Sequence, residues 1–104
     1  MTTADTNIAR AIPTTDIAGK QITLGAVVVM ADGKGYDETP VLRKGAVTSM
    51  NIHRNFDGDL ISLNIICQDE DGQFFEAIAE IELSYDEDFL RNYTAQTGKL
   101  AVIG

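Results

Sequence analysis

Cysteine, histidine and cations are scarce in this 104-residue chain, and each scarcity closes off a chemistry. A single cysteine, Cys67, cannot form an internal disulfide, which suits a cytoplasmic setting. With His53 as the only histidine, a zinc site of His and Cys ligands has too few donors. No apolar run approaches the roughly 18 residues that cross a bilayer, so no membrane contact is expected. Residues 1–7 lack the basic start and apolar stretch of a secretory signal. Eight Lys and Arg stand against sixteen Asp and Glu, a net charge of −8. A chain so charged repels nucleic acid and anionic membrane unless one face is locally basic.

The charge is unevenly placed. Between Arg54 and Arg91 there is no cation, and that interval holds eleven of the sixteen acids. Lys34, Arg43, Lys44 and Arg54, half of the cations, lie just before it. The length allows one domain, because two cores would each be too small to stand alone. Residues 1–16, rich in Thr, Ala and Asp with Pro13, read as a flexible arm, in which Ile8 and Ile12 could dock into a groove. Residues 17–104 form the domain.

Residues 22–30 are β-branched and bounded by Gly19 and by Asp32 and Gly33, which predicts a strand. Residues 46–53 predict a second, after a loop of about fourteen residues, 31–44. Asp57-Gly58 then signals a hairpin with both central residues at positive φ. A third strand follows at 60–67, with Ile61, Leu63, Ile65 and Cys67 on one face. Gly72 suits the left-handed position of the next turn, after Asp69, Glu70 and Asp71. The fourth strand, 73–83, alternates most clearly. Phe75, Ala77, Ala79, Ile81 and Leu83 face one way, and Phe74, Glu76, Ile78, Glu80 and Glu82 the other. Ser84 and Glu87 have capping-box spacing, with Asp86 in the first turn, which predicts a short helix over 85–92. Gly98 stops the chain before a fifth strand, 99–103.

This order resembles the SH3-like small barrel, in which a long loop follows the first strand and one helical turn precedes the last. Gly25 before Val27–Val29, and Lys44-Gly45 before Ala46 and Val47, resemble the two halves of a KOW-type motif, although the loop between them is longer. The resemblance implies an all-β, five-stranded SH3-like barrel with one short helix before the last strand. In ribosome- and polymerase-associated members the Lys-Gly pair approaches RNA or protein.

The remaining constellations are weighed against chemistry. Gly33-Lys34-Gly35 runs into Asp37, Glu38 and Pro40, where a phosphate-binding loop needs a helix start. Asp69, Glu70 and Asp71 lack the alternate spacing and the later Glu of a calcium loop. His53 has no Ser or Cys partner at motif spacing, and Cys67 continues an apolar face, so no catalytic, cofactor-binding or metal residue is expected. Two candidate contact surfaces remain. In the long loop, Tyr36, Asp37, Glu38 and Arg43, with Pro40, offer an aromatic anchor and charges of both signs. On the fourth strand, Glu76, Glu80 and Glu82 with Phe74 and Ile78 form an acidic face with an apolar centre.

The resulting expectation is a non-catalytic protein-interaction module. It would dock on a basic, nucleic-acid-handling protein, as small acidic phage inhibitors and accessory proteins do. One alternative is a KOW-like RNA or ribosome binder, using Arg43, Lys44, His53 and Arg54, which the acidic balance disfavours. Another is a structural subunit of an assembly such as a virion, because an apolar C-terminal edge strand invites pairing between copies.

Overall fold

The computed structural model describes residues 8–34 and 40–104. A helical turn at residues 8–11 leads into seven strands. These are β1 (Thr14–Thr15), β2 (Val27–Lys34), β3 (Pro40–Arg54), β4 (Leu60–Gln68), β5 (Phe74–Tyr85), β6 (Arg91–Gln96) and β7 (Leu100–Val102). They form one sheet in the order β1-β6-β5-β4-β3-β2-β7. Only residues 97–99 join β6 to β7, which lie near opposite ends of that order, so the sheet must curl into a half-barrel. The all-β class holds, with seven strands rather than five.

Alternation fills the inside of the curl. Leu63, Ile65 and Cys67 on β4 are buried, as are Phe75, Ala77 and Ala79 on β5, against Val28, Met30, Val47, Met50 and Leu100. Each large aliphatic side chain buried here contributes roughly 1.5–3 kcal/mol. The small alanines leave room where the sheet turns tightly.

The flexible-arm expectation for 1–16 fails over its described part. Ala9, Ile12, Thr14 and Asp16 are all buried. β1 pairs in parallel with β6 through Thr14↔Ala95 and Thr15↔Gln96. The same segment then reaches β7, where the Ile17 N–H donates to the Leu100 carbonyl at 3.0 Å. The Val102 N–H donates to Asp16 Oδ2 at 2.7 Å. Residues 16–17 therefore cover the C-terminal strand, which is not the open edge the sequence suggested.

Three other expectations change. The 31–44 loop is mostly strand: β2 extends to Lys34 and β3 begins at Pro40, a residue tolerated at a strand start because it need not donate. Residues 22–26, expected as strand, form the turn ahead of β2. The helix over 85–92 is absent, because β5 continues to Tyr85 and pairs with β6 from Glu80↔Gln96 to Tyr85↔Arg91.

What replaces the helix is a turn that recurs four times among the described residues. An Asx side-chain oxygen accepts N–H groups two and four residues on, closing a five-residue reversal. Asp16 Oδ1 accepts from Ala18 at 2.9 Å and Lys20 at 2.7 Å. Asn55 Oδ1 accepts from Asp57 at 3.0 Å and Asp59 at 2.9 Å. Asp69 Oδ1 accepts from Asp71 at 2.9 Å and Gln73 at 2.8 Å. Asp86 Oδ1 accepts from both Asp88 and Leu90 at 2.9 Å. In each, the fourth residue is left-handed: Gly19, Gly58, Gly72 and, uniquely, Phe89 at φ 60°. At the 55–59 turn only Gly58 has positive φ, so the expected two-residue hairpin there becomes this five-residue form.

The molecule is 51 Å long and 28 by 26 Å across. The length comes from two hairpins that outrun their neighbours. β3 pairs with β2 only up to Ala46 but with β4 up to Arg54, and β6 pairs with β1 only at Ala95 and Gln96 but with β5 back to Arg91. β3 and β5 are each antiparallel to β4, so the 55–59 and 86–90 turns lie at the same end. The turns at 16–20 and 69–73 lie at the other.

Candidate interaction surfaces

Tyr36, Asp37 and Glu38 lie outside the described residues. Arg43, the fourth member of that set, is a half-buried β3 residue rather than a loop cation. Its guanidinium lies 3.5 Å from Asp69 Oδ2 and 5.3 Å from the centre of the Phe75 ring. Arg43 thus ties β3 to the 69–73 turn by an ion pair and to β5 by a cation–π contact.

The Lys44-Gly45 pair lies inside β3, not at its start, with Gly45 opposite Val28. A Cβ at Gly45 would collide with the Gln68 carbonyl and stand 2.9 Å from the Phe75 ring. The glycine is there for close approach of β3 to β4. His53 and Arg54 sit at the other end of β3 from Arg43 and Lys44, roughly 30 Å along an extended strand. Arg43 and Lys44 therefore do not make one basic patch with His53 and Arg54.

The fourth-strand set is brought together. Phe74, Glu76, Ile78, Glu80 and Glu82 all project from the outer face of β5 and are exposed, Phe74 at 61% and Ile78 at 56%. Across from them on β4 stand Gln68, Ile66, Asn64 and Ser62 in register. On β6, Gln96 opposes Glu80 and Thr94 opposes Glu82. Lys99 and Gly98 join Ile78, Glu80 and Glu82 around a shallow depression of about 410 Å³, which places one cation at the end of the acidic row. The surface is a mixed acidic and apolar strip on a rigid sheet.

Cys67 is fully buried, and burial pushes its thiol up to about 11, which leaves no reactive thiolate near neutral pH. Among the described residues no group of His, Cys, Asp and Glu could hold a metal ion. No described helix is long and apolar enough to cross a membrane.

One feature escaped sequence reasoning. At the end that carries the 55–59 and 86–90 turns, the open end as against the closed end of the 16–20 and 69–73 turns, a cleft of about 740 Å³ lies between the helical turn and the two long hairpins. Ile8, Ile12 and Leu60 give it an apolar wall, with Arg54, Arg91 and Tyr93 beside them. The Tyr93 hydroxyl, helped by Tyr85, raises the pKa of Arg91 by favouring its charged form. These residues come from three distant stretches, so no spacing could reveal them. The one local signal was Arg91 itself, the cation that ends the long acidic interval.

No protein-family model, curated protein or solved structure matches this chain.

Proposed function

We propose that this chain is a non-catalytic protein-interaction module, a small acidic inhibitor or accessory protein of phage type that docks on a basic partner. The SH3-like likeness belongs to the same proposal: the strands from β2 to β5 follow the meander order of such a barrel, and β7 returns beside β2. The observation that carries the reading is the outer row of β5. Two large apolar side chains, Phe74 and Ile78, stand exposed among Glu76, Glu80 and Glu82 on a strand held from both sides. An interface needs such an apolar centre, while the carboxylates steer a basic partner into register.

The test compares three proteins: wild type, the triple variant Glu76→Gln/Glu80→Gln/Glu82→Gln, and Phe74→Ala. A partner captured from host lysate by wild type is then measured by binding kinetics at two salt concentrations. The triple variant should lower the on-rate and flatten its salt dependence, while Phe74→Ala should raise the off-rate. Unaltered kinetics in both would return the row to a merely solvated sheet face.

The KOW-like RNA reading loses support from the separation of Arg43 and Lys44 from His53 and Arg54 along β3. The assembly-subunit reading draws on a different observation, the apolar tips Phe56 and Phe89 that project from the open end. Light scattering at rising concentration separates it from the first reading, because a self-assembling subunit gains mass without a partner.

A further inference from the structure

We infer that the outer face of the sheet at the closed end is a homodimer interface, covered by a second copy of this chain about a two-fold axis. Residues directly opposite on paired strands share a face. Val27, Ala46, Gln68 and Phe74 therefore form one outer row across β2, β3, β4 and β5. Ile103 extends the row just past β7, its N–H donating to the Val27 carbonyl at 2.8 Å. The next outer pairs along β2 and β3 are Val29↔Lys44 and Ala31↔Leu42. Leu42 is 76% exposed, and Phe74 and Ile103 are exposed as well. A row of apolar side chains left in solvent on a paired sheet marks a contact surface.

Charge decides what covers that face. Lys44 lines a shallow depression of about 470 Å³ with Leu42, Glu70 and Asp71. Arg43 and Asp69, in the same depression, pair with each other. Among the described residues Lys44, Glu70 and Asp71 form no ion pair. A basic partner would set like charge against Lys44, and an acidic one against Glu70 and Asp71. The face fits a surface that carries both signs beside apolar groups, and a second copy has that surface by symmetry. Lys44 and Glu70 each lie two residues beyond the Ala46↔Gln68 pair, one on either side of the β3–β4 seam. A two-fold axis along the seam sets Lys44 of each copy against Glu70 of the other, so the contact is made twice. From Ile103 to Phe74 the row is about 19 Å wide at the usual strand spacing. A contact of that width supports a weak, concentration-dependent dimer rather than a permanent one. Phe74 belongs both to this face and to the β5 row, but Glu80 and Glu82 lie further along β5, and neither reading depends on the other.

Sedimentation equilibrium of the full chain, from micromolar to millimolar concentration, reads the dimer directly. The mass should rise to that of two copies and stop there, because an isologous contact closes, whereas an open assembly keeps growing. Leu42→Thr should weaken the dimer and leave the urea midpoint of the dilute chain unchanged. Lys44→Glu and Glu70→Lys should each weaken it by roughly tenfold or more, since each sets like charges together twice. Mixing these two variants should restore the dimer, because each copy then carries the charges that the other lacks. The triple Gln variant of the β5 row should dimerise at least as tightly as wild type. A chain that stays monomeric at millimolar concentration, growth past two copies, or a mixture of the two charge variants that associates no better than either alone would overturn the inference.

Discussion

The turns at 69–73 and 86–90 begin with the same three residues, Asp-Glu-Asp, and make the same hydrogen bonds, yet one places Gly72 in the left-handed position and the other Phe89. A bulky residue at φ 60° is strained, on the order of 1 kcal/mol or more. The Asx side chain and the strand pairing on either side over-determine the turn, so the fourth residue accepts the conformation whatever its identity. The location of the strain is informative. Gly72 sits at the closed end, beside the Arg43–Asp69 ion pair and the close approach at Gly45. Phe89 sits at the open end, 83% exposed, with Tyr85, Leu90 and Phe56 also exposed. Both ends keep apolar side chains in solvent, Leu42 and Phe74 beside the 69–73 turn among them, but among the described residues only the open end also holds a bulky residue in the left-handed position, at a cost to the fold.

The largest effect expected from that contrast is at Gly45. Valine there must push β3 away from the Gln68 carbonyl and the Phe75 ring, neither of which can swing aside. Gly45→Val should destabilise by about 3 kcal/mol or more, read as a lower urea midpoint. An unchanged midpoint would mean that the closed end yields as easily as the open one, and the contrast would break.

Asp16 comes next. Its buried carboxylate accepts three N–H groups, from Val102, Lys20 and Ala18, and these bonds, Val102 first, hold its pKa below the ordinary 3.8 despite the opposing cost of burial. Asp16→Asn can keep one oxygen but turns an amide donor toward another N–H, and should cost about 2–3 kcal/mol at pH 7. Because the folded pKa is the lower one, the carboxylate's contribution is full above 3.8 and disappears as pH falls through the folded value. The difference between wild type and Asp16→Asn in urea melts should therefore be constant from pH 7 to about 5 and shrink below pH 4. A difference that persists undiminished at pH 2 would show that the charge is not what ties residue 16 to β7.

Legibility in the sequence divides along the same line. Strands β4 and β5 were readable because one face is buried and the other wet, so alternation survives in the residues themselves. Gly45 stood out in the Lys44-Gly45 pair, but the close approach that requires a glycine comes from Gln68 and Phe75, distant in sequence. Asp16 was not readable, since the acceptor that makes its burial tolerable bonds to Val102, distant in sequence, and an isolated Asp in a Thr-rich stretch reads as solvated. The acidic row on β5 was visible for the same reason as its strand. The cleft was invisible because Ile8, Leu60 and Arg91 meet only when β6 outruns β1. The helix expected over 85–92 came from a real ambiguity: Ser84 to Glu87 fits a capping box, and Asp86 to Leu90 fits the Asx turn already used at 69–73. Pairing of six β5 residues with β6 outweighs a cap worth about 1 kcal/mol.

The turn comparison can be tested by exchange. Phe89→Gly removes the strain but adds backbone entropy to the unfolded chain, for a net gain of about 0.5–1 kcal/mol. Gly72→Phe should lose a similar amount. Both are read as shifts in urea midpoint at constant slope. If Phe89→Gly destabilises instead, the aromatic ring packs on something at the open end, and the claim that this end holds apolar groups at a cost to the fold fails.

The smallest expected effect discriminates between turn and helix most directly. Ser84 is an exposed β5 residue opposite Asn92, and its hydroxyl donates to the Asn92 carbonyl at 3.3 Å. That is a long, solvent-exposed bond, and Ser84→Ala should change stability by less than about 0.5 kcal/mol. A helix cap at the same position would lose about 0.5–2 kcal/mol, because an amide of the first turn would be left without its acceptor. The two readings also differ in hydrogen exchange. Cross-strand pairing protects residues on both sides of the 86–90 turn together, whereas a helix over 85–92 would protect its later residues and leave its first turn open. A loss near 1 kcal/mol, together with the helical protection pattern, would dissolve the β5–β6 hairpin beyond Leu83. It would also remove Phe89 from its left-handed position and leave the open end with no strain to compare against Gly72.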